Sequence, residues 1–410
     1  MTSREDCLAL DAHDPLAAFR TRFALPEGVV YLDGNSLGAR PKVAAARAQS
    51  VIGEEWGNGL IRSWNDADWI GLPAKVGDKL GQLIGAAPGE VVACDSTSVN
   101  LFKLLSAAFV LRPGRRVLLT DRDNFPTDNY VAEGVAAFLD GKVEIRVLPA
   151  EEILAAIDQD VAVVSLTQVN YRTGRIYDMA KISAAATAMG ALSLWDLSHS
   201  AGAIPVDLTG AGADLAVGCG YKYLNGGPGA PAYVFVPKRH HQAVRQPISG
   251  WMGHAAPFEF SGDFRPAPGI GRMLSGTPPV IALALLECGL DIIIEAGMDA
   301  LRVKSMALSD LFISLITQHC DGHGLELISP QDANLRGSQV SYSYENGFGA
   351  MQALIARGVI GDFRQPNVMR FGFAPLYVTH IDLWDAVQAL RAVLVGAEWK
   401  KFPMRAGVVT

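Results

Sequence analysis

Cysteine is scarce in this chain of 410 residues, and Cys7, Cys94, Cys219, Cys288 and Cys320 stand scattered. An odd number without C-x-x-C spacing argues against a disulfide framework or a zinc site and fits a reducing cytoplasm. Blocks of one charge sign are also missing. The net charge is -7 with no Lys/Arg run, so neither nucleic acid nor an anionic membrane is expected as a partner. No basic stretch followed by an apolar core opens the chain, so no secretory leader is expected. The most apolar long segment, 280–300, carries Glu287, Asp291, Glu295 and Asp299. At four-residue spacing these acids make a drifting stripe on a helix packed against a core, not a membrane span. There is no Walker A sequence, and neither Gly218-Cys-Gly220 nor Gly269-Ile-Gly271 extends to GxGxxG, which weakens a dinucleotide-binding reading. A small-molecule substrate is the expectation.

What is present is enough apolar sequence, 50% of residues, to build two or three domains with substantial cores. Seven strand-like runs lie at 91–94, 116–120, 143–148, 161–169, 191–197, 215–219 and 232–236. Most are separated by helical patterns such as 99–111, 129–139 and 179–189. Such alternation predicts an α/β fold, a mainly parallel seven-stranded sheet with helices on both faces. The last connection, 222–229, is too short for a parallel crossover, so the final strand should run antiparallel. A large domain is expected over 46–280 and a smaller α+β domain over 281–410. The latter has a long helix, strands at 339–344 and 368–373, and a closing helix at 381–395. Residues 1–45 show no sheet of their own and are expected to pack on the small domain.

Two residues carry most of the chemistry. Lys222 ends the apolar run that begins at Ala213, and Asp196 ends another run 26 positions earlier. A lysine among apolar and small residues has its charged form disfavoured, which makes its amine nucleophilic near neutral pH. Pyridoxal phosphate (PLP) needs such an amine to form an imine, and a carboxylate to keep its ring nitrogen protonated. The competing reading is a solvated strand-end lysine and a helix-capping aspartate. Ser96-Thr97-Ser98 offers hydroxyls at a helix start, where a phosphate or an ordinary N-cap would use them. Phe125 could stack on a planar ring or simply pack, and Pro126, Thr127 and Asp128 sit at a second helix start. His199 is a neighbour of the cofactor or a satisfied core histidine. On 368–373, alternation puts Arg370 and Gly372 on a face left open by small side chains, which suits a carboxylate grip, with a structural salt bridge as the alternative. No metal site is expected.

With these residues in place, the chain resembles PLP enzymes of fold type I, the aminotransferase class V group, and more closely the kynureninases. The resemblance spans nearly the whole chain. It is carried by Tyr31-Leu-Asp-Gly-Asn-Ser-Leu-Gly38, Gly59-Leu-Ile-Arg-Ser-Trp64, Phe125-Pro-Thr-Asp128, Asn170-Tyr-Arg-Thr-Gly174, Tyr221-Lys222, Gly250-Trp251, Gly276-Thr-Pro-Pro279 and the segment from Arg370 to Tyr377. It implies that Lys222 carries the cofactor, Asp196 pairs with its ring nitrogen and Phe125 stacks on it. Thr97, Ser98, Pro126, Thr127, Asp128, Thr167, His199 and Tyr221 match further cofactor positions. Trp251 and Thr277 match positions that reach the neighbouring subunit's phosphate, which implies a homodimer with active sites at the interface. Arg370 matches the substrate-carboxylate arginine, assisted by Ser36. Trp64, Gly276 and Thr277 match the bacterial catabolic form, implying kynurenine in preference to its 3-hydroxy derivative.

The activity implied is hydrolysis of L-kynurenine to anthranilate and L-alanine. Lys222 would take the Cα proton, and Tyr221 would protonate Cβ after the carbon skeleton breaks. Two rivals remain. Desulfuration or transamination on the same fold would, in the first case, need a mobile nucleophilic cysteine, for which only Cys320 is available. A non-catalytic homologue is argued against by Asp196, Lys222 and Arg370 together.

Overall fold

The computed structural model describes residues 2–403. All seven strand-like runs join one sheet: β1 (Val91–Ala93), β2 (Val117–Asp121), β3 (Glu144–Leu148), β4 (Val161–Thr167), β5 (Leu192–Asp196), β6 (Leu215–Gly218) and β7 (Tyr233–Phe235). Their order is β1-β7-β6-β5-β4-β2-β3. As the short connection predicts, β7 is antiparallel to both neighbours, and the remaining pairs are parallel. Being antiparallel to β7, β1 points the same way as β2 to β6. The C-terminal ends of six strands therefore share one edge, where a ligand crevice forms in open α/β sheets.

Alternation along these strands feeds two apolar layers. Leu119, Val164, Trp195 and Ala216 enter one; Leu118, Val163, Leu194 and Val217 enter the other. Burial on both faces explains why the strands read as near-continuous apolar runs. The helices Thr97–Leu111 and Pro126–Phe138 begin at the crevice edge. The first is capped by Ser96, whose side chain accepts from Val99 N. The second starts with proline, whose missing N–H costs nothing in a first turn.

A second, antiparallel sheet has the order Glu326–Leu327, Gln339–Ser343, Val368–Gly372, Asp362–Arg364. Its two middle strands match the expected runs. The outer two are two and three residues long, too short for a periodic signal. The 280–300 segment is not one helix. Val280–Ala296 ends at Gly297, whose φ of 78° favours a residue without Cβ, and Met298–His319 follows. Its acidic stripe is partnered rather than only solvated. Lys79 of the helix Leu72–Ile84 bonds Glu287 at 2.8 Å and also Asp291, and Arg22 bonds Glu295 at 2.5 Å.

The first 45 residues are not free of strands. Phe23–Ala24 pairs with Arg40–Pro41, and Val30–Tyr31 pairs in parallel with Val359–Ile360. Asp11 accepts from His380 N at 2.8 Å and Ile381 N at 2.9 Å, completing the start of the helix His380–Val395, which Thr379 and Asp382 cap reciprocally. The segment after Tyr31 is tied to the second sheet itself: Asp33 bridges to Gly372, and Leu32 O accepts from Gly372 N at 2.7 Å. Among the described residues no helix is long and apolar enough to cross a membrane.

Candidate active site

At the crevice edge, Lys222 follows β6 and is only 8% exposed. Its Nζ lies 3.2 Å from His199 Nε2, and among the described residues it makes no ion pair. Burial lowers its affinity for a proton, and burial together with the Lys222 charge holds His199 well below the usual imidazole range. A buried amine without a counter-ion is costly to keep charged, so it is poised as a nucleophile or base. The aromatic rings of Phe125 and Tyr221 stand 5.7 and 5.8 Å from it. Burial pushes the Tyr221 phenol up, so it stays protonated near neutral pH. The close fit begins at the backbone: Gly38 N donates to Tyr221 O at 2.8 Å, and a Cβ on Gly38 would overlap Lys222 O.

Asp196 ends β5 opposite Thr167, the last residue of β4. Its Oδ1 accepts from Ser198 N at 2.8 Å and Ser198 Oγ at 2.6 Å. Burial raises it, while Ser198 and the Lys222 charge oppose the rise. Asp128, in the first turn of Pro126–Phe138, is its buried neighbour, and burial and then Asp196 lift its proton affinity much further. Two adjacent buried carboxyls cannot both ionise cheaply, and Asp128, whose proton affinity is lifted further, is the one that favours the neutral form. Asp128→Asn preserves that neutral state. It should leave the thermal midpoint within a few degrees of the parent, corresponding to less than about 1 kcal/mol. A calorimetric loss as large as that of Asp196→Ala would assign the charge to Asp128 instead.

Asn124 joins these strand ends, accepting from Thr167 N at 3.2 Å through its side chain. Thr97 and Ser98 are the first two residues of their helix, with Thr127 in the first turn of the next. The sequence-predicted residues Thr97, Ser98, Phe125, Pro126, Thr127, Asp128, Thr167, Asp196, His199, Tyr221 and Lys222 thus all stand at the same edge of the sheet.

Arg370 belongs to a second cluster. It is 2% exposed and bound side-on by Asp362, directly opposite in the register of the second sheet: Nε donates to Oδ1 at 2.6 Å and Nη2 to Oδ2. Nη2 also reaches Ser36 Oγ at 3.1 Å and Nη1 reaches Tyr171 O at 2.5 Å. Four of the five guanidinium N–H groups are engaged, leaving one on Nη1. Arg364 shares Asp362 at 2.9 Å, and Ser36 Oγ donates to it at 2.5 Å. Burial works against ionisation of Asp362, yet the Arg370 hydrogen bonds and charge hold it below the usual carboxylate range. The expected open face beside Arg370 is filled. The Asn35 side chain occupies the space over Gly372, where any Cβ would overlap it. The small residue is there to admit Asn35. Burial, and next the charge of Asp362, push the nearby Asp33 carboxyl up to about 7.

Tyr171 connects the clusters: its ring meets Phe125 edge-on at 5.2 Å, while its carbonyl holds Arg370. Its loop is pinned by Asn170, which donates to Asp123 O at 2.8 Å. Four predicted site residues lie elsewhere in the single chain. Trp64 and Thr277 line an apolar cleft of about 590 Å³ with Trp56, Trp69 and Pro228, whose lining does not include Lys222. Gly276 is exposed beside it. Trp251 packs in an exposed aromatic group with Phe258 and Phe260.

Asp33, Asn35, Tyr171, Ser198, Asp362 and Arg364 also stand in these clusters and carry no individual signal in the sequence, with one exception. Asp362 had a usable signal. A hairpin turning on Gln365-Pro-Asn367 places Asp362 opposite Arg370 by simple counting.

Over its full length the chain is 54% identical to a kynureninase of Burkholderia pseudomallei, covering 100% of both. The chain belongs to the kynureninase family. The kynureninase C-terminal domain model matches residues 301–390. The fold is shared with solved structures of low identity. One is a cysteine desulfurase from Thermococcus onnurineus, with TM-score 0.78, 16% identity, and coverage of 92% of this chain and 98% of that one. Another is a C-DES mutant holding glycine covalently linked to PLP, with TM-score 0.75, 17% identity, and coverage of 91% and 98%. In this member of the family, however, all five cysteines are buried. Cys320, the one candidate for desulfuration, is 1% exposed at the end of Met298–His319, and burial pushes its thiol up to about 11. It offers no mobile thiolate.

Proposed function

We propose that this chain hydrolyses L-kynurenine to anthranilate and L-alanine with PLP, as a cytoplasmic homodimer. The observation that carries the reading is Lys222, a buried amine without a counter-ion, facing a buried carboxyl pair in a chain of the kynureninase family. Those residues fit the cofactor chemically. Lys222 offers the amine and Asp196 a carboxylate for a protonated ring nitrogen. Phe125 gives an aromatic face, and the hydroxyls and N–H groups at the start of Thr97–Leu111 suit a phosphate. When bound, PLP supplies an aldehyde that captures amines and a ring that accepts an electron pair from a breaking bond.

The chain's own residues supply the proton transfers. Lys222, whose charged form burial disfavours, takes the proton from substrate Cα. Tyr221 keeps its phenolic proton and gives it to Cβ as anthranilate departs. Arg370 receives the α-carboxylate at its remaining N–H, with Ser36 beside it.

The dimer reading is supported by an exposed apolar surface: Trp56, Leu60 and Ile61 at 59%, 60% and 77% exposure, and Phe260 at 76%. Trp64, Thr277, Gly276 and Trp251 lie on or beside this surface, consistent with a site completed by a second copy. Five free cysteines suit the cytoplasm.

Purified protein loaded with PLP should turn yellow, sediment at twice the chain mass and release fluorescent anthranilate from kynurenine. Tyr221→Phe should slow that release by roughly 10²-fold or more. A yellow protein inert toward kynurenine would remove the substrate, and a Phe variant with full turnover would remove the role of Tyr221.

A further inference from the structure

The Arg370 cluster contains one group that neither the ion pairs nor the catalytic reading uses. Asp33 is 7% exposed, and its Oδ1 is buried without a partner. It is held in place by backbone: it bridges to Gly372, two residues from Arg370, and Gly372 N donates to Leu32 O at 2.7 Å. Among the described residues no lysine or arginine pairs with it. The groups facing it are Asp362 and Arg364 from one strand, Arg370 from the next, Ser36 and Tyr31 from its own segment, and Tyr223 and Tyr377. The three phenols carry no charge near neutral pH.

The fixed charges are two guanidinium groups and the Asp362 carboxylate, a surplus of one positive charge. If Asp33 is neutral the surplus stands; if it ionises the cluster is balanced and has nothing to offer an anion. We propose that Asp33 sets the charge of the carboxylate-binding subsite, its neutral form leaving the single positive charge that one substrate carboxylate neutralises. The inference rests on Arg370 as the receiver of that carboxylate. It makes Asp33 a positioning and specificity-determining residue, not a catalytic one. Its raised proton affinity fits: an ionised, unpaired carboxylate at this burial is costly, and an arriving anion makes it costlier. Above neutral pH, substrate binding therefore raises the proton affinity of Asp33.

The test is the pH dependence of KM for L-kynurenine in the PLP-loaded parent and in Asp33→Asn. The ratio of parent to variant KM should stay near one at about pH 6 and rise to roughly tenfold by about pH 9, as a buried like charge would require. A ratio that does not change with pH, or an effect confined to kcat, overturns the proposal. A second readout needs no turnover. Burial-raised Asp33 lowers stability as pH climbs from the ordinary carboxylate range to its own folded value, and no further. The thermal midpoint of Asp33→Asn should therefore gain on the parent between about pH 4.5 and 7 and then level off; a constant gap sinks the inference. Should the asparagine variant not fold, Asp33→Ser goes through both measurements. If kynurenine proves not to be a substrate, the thermal comparison still decides the ionisation of Asp33, so the two readings fail separately.

Discussion

Lys222→Ala should lower anthranilate release by roughly 10⁴-fold while leaving the fold intact. The size follows from losing both the amine that would hold the cofactor and the base at Cα. The intact fold follows from the environment. Lys222 Nζ contacts only the ring of His199 within hydrogen-bonding reach, and its charged form is already disfavoured by burial. Truncation therefore removes an expensive group rather than a partner, and the thermal midpoint should not fall. Rates with kynurenine, read by anthranilate fluorescence beside a melting curve, check both halves. A variant retaining a tenth of the parent rate, or one that no longer folds, would contradict this account of the site.

Asp362→Ala should have the opposite profile, a large loss of stability. Arg370 and Arg364 both rely on this carboxylate, and Arg370 is buried. Breaking a buried pair by removing one partner costs about 3–5 kcal/mol. The pH dependence has a definite sign. Arg370 holds the folded-state value of Asp362 below its ordinary 3.8, so its contribution is complete above that value and is lost as pH falls through the lower folded one. The part owed to Asp362 itself should be lost only below about pH 4, while the deficit of the variant should also shrink as pH rises from about 4.5 to 7, where the raised Asp33 weakens the parent, and hold constant from there to about pH 9. Asp33, relieved of a like-charged neighbour, should ionise and recover part of the loss, so Asp33→Asn placed on top of Asp362→Ala should be worse than Asp362→Ala alone. Thermal or urea unfolding of the set decides this. A stable Asp362→Ala protein would mean that the guanidinium groups find other partners.

Much of the pocket around Lys222 could be read from the chain because its residues follow strand ends. Apolar runs announce where β4, β5 and β6 stop, and parallel connections bring those stops to one edge. Asp196, Thr167 and Lys222 are neighbours for that reason alone. The Arg370 cluster was less legible. Asp33, Ser36, Tyr171, Asp362 and Arg370 come from four separate stretches, and two of the elements that join them are Val30–Tyr31 and Asp362–Arg364. Elements this short carry no periodicity. Alternation within one strand predicts an open face beside Arg370, but it carries no information on Asn35, from the first 45 residues, which fills that face.

By itself, then, the sequence determined the seven-stranded sheet, the antiparallel last strand and the amine and acid at its edge, because strand period, connection length and desolvation are local or nearly local properties. Only the tertiary structure decided that Asp128 and Asp196 are buried as neighbours, that Arg370 is already gripped by Asp362, and that Asp33 stands among these groups without an ion-pair partner. Charge and proton occupancy depend on distances between groups far apart in the chain and on how much water is excluded between them, and neither quantity exists until the chain has packed.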